Sequence, residues 1–103
     1  MNIISLNELT TMQKGAIVSK IIAQQGSVTL FALSENESIS SHTSSKDAFV
    51  LVLEGKIQFT VASETETLHA LEVIEIPANQ PHALQAIQDS RMLLIQKGDS
   101  NNE

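Results

Sequence analysis

Three histidines, His42, His69 and His82, are the side chains best able to do chemistry in this chain, which has no cysteine. An imidazole can bind a metal, accept a hydrogen bond or act as a general base, and it titrates near neutral pH. His42 closes the segment Ser38-Ile39-Ser40-Ser41-His42, just ahead of a polar loop, Thr43-Ser44-Ser45-Lys46. His82 follows Ile76-Pro77-Ala78-Asn79-Gln80-Pro81, where two prolines bracket the loop and fix φ on either side of it. A histidine delivered from a stiffened turn suits a preorganised site, and it suits any tight β connection equally well. His69, between Leu68 and Ala70, reads as a surface residue of an edge region.

Other chemistry is excluded by spacing. Ser41 and His42 are neighbours, but adjacent strand residues point to opposite faces, and there is no Gly-x-Ser-x-Gly elbow. Gly15, Gly26, Gly55 and Gly98 stand singly, so no glycine-rich loop can cradle a phosphate. Without cysteine there are no disulfides, thiolate nucleophiles or cysteine zinc sites. Six basic against 12 acidic residues give a net charge of −6, the wrong sign for a nucleic-acid backbone or an anionic membrane. Glu64, Glu66, Glu72 and Glu75 fall at turns and outward positions, and read as a solvated acidic surface. The longest apolar run, Ala48 to Leu53, is far short of the about 20 residues of a membrane span. No basic start precedes an apolar stretch, so a soluble cytoplasmic protein is expected.

The elements that must position the histidines are short strands. The 103 residues have room for one domain, with residues 1–15 an N-terminal arm and 99–103 a polar, flexible tail. Eleven Ile, 11 Leu and 6 Val against three Phe make an aliphatic core. Ser5 and Glu8 have capping-box spacing, with Leu6, Leu9 and Met12 on one edge, which predicts a short helical turn. From Ala16 onward, strands are expected over 17–23, 28–33, 38–44, 48–53, 57–61, 65–70, 73–76, 82–87 and 92–96. Ala48 to Leu53 is apolar on both faces, as in a strand buried between layers. Ile57, Phe59 and Val61 alternate with Lys56, Gln58 and Thr60, the clearest period of two in the chain. Glu54-Gly55 makes the tight turn between these two strands. No connection is long enough for a crossover helix, so the fold is all-β and antiparallel, closed or nearly closed.

The run from His42-Thr43-Ser44 through Ala48 to Leu51-Val52-Leu53-Glu54-Gly55 resembles the first cupin motif. Leu68-His69-Ala70-Leu71-Glu72 through Ile76-Pro77-Ala78-Asn79-Gln80-Pro81-His82-Ala83-Leu84 resembles the second. The resemblance spans roughly Leu30 to Leu94 and implies a single cupin-like domain, an antiparallel double-sheet jelly-roll barrel. It also implies a divalent metal held by two His and one Glu of the first motif and one His of the second. Here His42 and His82 match, whereas Ser44 stands at the second His position and Ala48 at the Glu. Asp47 is adjacent but one step along the strand, on the opposite face. Leu71 stands where the second motif opens with Gly.

With His42 and Ser44 inward, alternation brings Ala48, Val50 and Val52, then Ile57, Phe59 and Val61, then Leu84 and Ala86 to the same side. Met92 and Leu94 complete a narrow apolar pocket. His42, Ser44, Ala48, Val50, Phe59, His82, Leu84 and Met92 are therefore the candidate ligand-pocket residues. His42 and His82 are the candidate ligands for Zn, Ni, Fe or Mn. The expected function is binding of a small molecule in the barrel, with the metal weakly held if held at all. The alternative is a metal-dependent enzyme of dioxygenase or isomerase type using the two His. Both parities of Ile17–Ala23 and Val28–Leu33 are apolar, which predicts a homodimer through the N-terminal strands.

Overall fold

A computed structural model describes residues 3–23 and 27–97, the side chain of residue 23 excepted. Residues 24–26, between the first two expected strands, and the tail expected from residue 99 lie outside the described residues. The chain forms one helical turn, α1 (Leu6–Leu9), and then strands β1 (Ile17–Ala23), β2 (Val28–Leu33), β3 (Ser38–His42), β4 (Ala48–Glu54) and β5 (Lys56–Val61). It continues through β6 (Glu64–His69), β7 (Val73–Ile76), β8 (His82–Ala86) and β9 (Ser90–Gln96). These boundaries lie within a residue or two of the sequence reading throughout.

The strands make two antiparallel sheets, ordered β1-β2-β9-β4-β7 and β3-β8-β5-β6. Val50, Val52 and Met92 of the first sheet meet Ile57, Phe59 and Ala86 of the second in a single buried core. This is the expected double-sheet jelly roll. Among the described residues no strand pairing joins the two sheets edge to edge, so of the closed or nearly closed barrel expected the structure shows one that is not closed.

β4 corrects a second expectation. Val50 and Val52 are buried, but Phe49 on the outer face is 41% exposed, so only one face of this strand lies between layers. Thr10 of the N-terminal arm, by contrast, is buried. Leu30 and Ala32 pair with Leu93 and Arg91 in outward rows yet are fully buried. Arg91 reaches across to the arm through Nη2, which donates to the Thr10 carbonyl at 3.3 Å, while Nη1 donates to Glu54 at 2.7 Å. The helical turn forms, with the Glu8 N–H donating to the Ser5 carbonyl at 3.1 Å. The Ser5 hydroxyl makes no cap bond, so the capping box suggested by the spacing is not realised.

The β6–β7 turn carries a strained residue. Leu71 has φ +70° and is 76% exposed, although its N–H donates to the Val52 carbonyl and fixes the turn against β4. Beside it, the Glu72 carboxylate accepts the His69 N–H at 2.7 Å and faces the His69 Nδ1 at 3.4 Å. These two bonds hold Glu72 below the usual carboxylate range. A left-handed conformation penalises any residue with a Cβ, and the exposed Leu71 side chain buries little in return. Leu71→Gly is therefore expected to raise stability by about 0.5–1 kcal/mol, read as a higher urea midpoint at unchanged m-value. A midpoint that stays or falls contradicts the strain.

Candidate functional site

β8 leaves the Pro77–Pro81 turn with His82, Leu84 and Ala86 opposite Val61, Phe59 and Ile57 of β5. On its other edge, Leu84 faces Ile39 of β3 and His82 faces His42. Two steps along β8 thus match three along β3, a β-bulge at Ser40 and Ser41. Strict alternation from Ile39 would turn Ser41 inward and His42 outward. The bulge absorbs one residue and returns His42 to the face that Ile39 occupies. The plain sequence Ser-Ile-Ser-Ser-His gives no sign of this.

The two imidazoles meet with ring centroids 4.2 Å apart and planes inclined by 60°. His42 is exposed and His82 half-buried. Each Nδ1 lies 2.9 Å from the carbonyl oxygen two residues back, that of Ser40 for His42 and of Gln80 for His82. A carbonyl only accepts, so each Nδ1 carries a proton, and a ring in its neutral form presents Nε2 as an acceptor. Among the described residues neither Nε2 has a partner.

The rings form part of the wall of a cavity of about 260 Å³ between the sheets. Among the described residues the rest of the lining is Phe31, Ile39, Val50, Phe59, Ile76, Leu84, Met92 and Leu94, so the imidazoles are its only polar side chains there. Of the residues expected there, His42, Val50, Phe59, His82, Leu84 and Met92 line it, and Ser44 and Ala48 do not. β3 ends at His42, which leaves Ser44 in the following loop, where its Oγ accepts the Lys46 N–H at 3.2 Å. Ala48 sits opposite Ile76 at the start of β4, and the longer Ile76 side chain lines the cavity at that level. Val52, Ile57 and Ala86 are inward as expected but belong to the solid core, with Val61 packed against it.

Phe31, Ile39 and Ile76 were not anticipated in the lining. β2 is apolar at both parities, which hid the phase of Phe31 until its pairing with Met92 fixed it. His69 is exposed, as read from the sequence, and so are Glu64, Glu66, Glu72 and Glu75. A larger, open groove of about 590 Å³ beside Lys14, Glu35 and Asp89 shares no lining with the histidine cavity.

Asp47 does not reach the rings. Its Oδ1 accepts the Ala78 N–H at 2.8 Å, pinning the turn that delivers His82. A resident metal centre needs about three protein donors. Among the described residues no group of three or more His, Asp or Glu is placed to hold a metal. Ala48 has no donor atom, the Ser44 hydroxyl is bonded within its own loop, and only two Nε2 atoms remain. This donor set does not fit a three-ligand centre.

Two facing antiparallel sheets with an apolar cavity and an imidazole pair between them define a small jelly-roll protein. Residues 29–96 match the family described as Cupin domain, and the chain belongs to that family. It is similar to a conserved protein of unknown function from Streptococcus pyogenes, at 28% identity and a TM-score of 0.88, covering 96% of this chain and 89% of that one. It is also similar to a cupin superfamily protein from Desulfitobacterium hafniense, at 26% identity and a TM-score of 0.84, covering 89% and 86%. A third likeness is to a cupin 2 conserved barrel domain protein from Leptotrichia buccalis, at 31% identity and a TM-score of 0.83, covering 87% of this chain and 45% of that one. No curated protein matches the chain. Among the described residues no helix is long and apolar enough to cross a membrane.

Proposed function

We propose that this cupin is a binding module that takes a small, largely apolar molecule into the cavity between its sheets, with His42 and His82 as polar anchors. The observation that carries this reading is the cavity wall, aliphatic and aromatic throughout except for two imidazoles whose Nε2 atoms have no partner. Met92 in that wall suits an adaptable fit, because its unbranched thioether fills irregular gaps. Cavities lined by Leu, Ile and Phe accept small hydrocarbons. Ethylbenzene, added to methyl-labelled protein, is expected to shift the Met92, Leu84 and Leu94 methyl resonances saturably. Shifts confined to residues outside the cavity, or none, overturn the proposal. So does stoichiometric iron, manganese, nickel or zinc in protein made without an affinity tag, if it is lost in His82→Ala. That result would favour a metal-dependent enzyme.

We further propose that two copies associate through the N-terminal strands. β1 is an edge of its sheet, and Ile21 on it is 63% exposed. Apolar edge strands invite pairing. Light scattering at micromolar concentration is expected to give twice the chain mass, and a monomer there overturns the proposal.

A further inference from the structure

Resting on the cavity reading above, we infer that the occupant carries a head group that donates hydrogen bonds and bears no negative charge. The reason is what the two rings offer and what the rest of the wall lacks. Both Nδ1 protons are committed to the Ser40 and Gln80 carbonyls, so each ring, when neutral, has only an Nε2 lone pair left to offer a ligand. The other lining side chains, drawn from β2, β3, β4, β5, β7, β8 and β9, supply neither a polar donor nor a charge. A carboxylate or phosphate brought here would meet two acceptors and no donor, and would leave its water without replacement. A hydroxyl or amine head does the reverse. It donates to one Nε2, and the second ring, 4.2 Å away by centroid, offers a further acceptor on the same wall.

Two observations act in the same direction. The net charge of −6 repels an anionic head at long range and draws a cationic one. Asp47 and Lys46, in the loop after His42, do not line the cavity, and the Asp47 carboxylate is held on the Ala78 N–H. Among the described residues no Lys or Arg lines the cavity to receive an anion. The volume of about 260 Å³ lies below the usual range for drug-sized ligands, so the body is limited to a single ring or a short branched chain.

Three probes with one body separate the heads: 2-phenylethylamine, 2-phenylethanol and 3-phenylpropionate, titrated by calorimetry at about pH 8, above the ordinary imidazole range. The amine and the alcohol are expected to bind at least about tenfold more tightly than the carboxylate. In the double variant His42→Leu, His82→Leu the three affinities should converge through loss of the first two. Ring-nitrogen resonances of the unmodified protein supply a second readout, with the two Nε2 signals moving on addition of amine or alcohol. A carboxylate that binds as well or better overturns the head-group inference and leaves the cavity reading intact. The same holds if ethylbenzene binds and no headed probe does. Silence of all four probes overturns both, and discrimination that survives in the double variant removes the rings from the account.

Discussion

Gly55→Ala is expected to lower the unfolding free energy by about 3–5 kcal/mol. Gly55 closes the β4–β5 turn at φ +90°, a region that residues with a Cβ rarely enter. A Cβ built there runs into the Asp89 carbonyl and the Ser90 hydroxyl. Neither neighbour is free to move aside. Ser90 is fully buried, and its Oγ accepts the Lys56 N–H at 3.0 Å while donating to the Gln88 carbonyl at 2.7 Å. Relieving the contact would part the β4–β5 turn from the start of β9, where Glu54 pairs with Arg91. Gly15→Ala is the matching control. Gly15 also has positive φ, at +74°, but a Cβ there meets nothing within 4 Å, so only backbone strain of about 1 kcal/mol is expected. Urea unfolding of the two variants separates steric contact from conformational strain. Equal losses would show that the close approach of Ser90 is unimportant. At a total stability of about 5–15 kcal/mol for a domain, the Gly55 variant loses a large fraction of what keeps it folded.

The fold was more legible than the site, for a physical reason. Strand identity follows from composition and period, and Ile57, Phe59 and Val61 declare their face without help from the rest of the chain. The order in which strands pair depends on contacts distant in sequence, so β9 lying between β2 and β4 could come only from the cupin resemblance. The site depends on finer matters. Phe31 sits in a strand with apolar residues at both parities, where alternation cannot choose a side, whereas Ile76 alternates with the outward Glu75. Ser44 was carried inward by continuing a strand that stops at His42. The imidazole pair itself was anticipated from the two motifs, but the feature that makes the rings meet, the β3 bulge, leaves no trace in hydrophobicity because the residues concerned are serines. Alternation puts Asp47 on the face away from the rings, but its bond to the Ala78 N–H depends on a loop distant along the chain and is not readable from sequence.

Deleting Ser41 alone should keep the histidines together, whereas deleting Ser40 and Ser41 together should part them. Between Ile39 and His42 there are two residues where regular pairing with Leu84 and His82 has room for one. Removing Ser41 restores equal counts on the two strands, and His42 then faces His82 by plain alternation without a bulge. Removing both serines leaves His42 one step from Ile39, on the opposite face of the sheet. The loop of residues 43–47 supplies slack for either deletion, so the single deletion is expected to change stability by no more than about 1 kcal/mol. Ring-current shifts on the His82 protons, generated by a neighbouring ring with its centroid at 4.2 Å, should persist in the single deletion and vanish in the double one. The ethylbenzene response of Met92 should persist in the first. A single deletion that also separates the rings would mean that the bulge does more than correct parity, and that the Ser40 carbonyl is needed to hold the His42 ring against its partner.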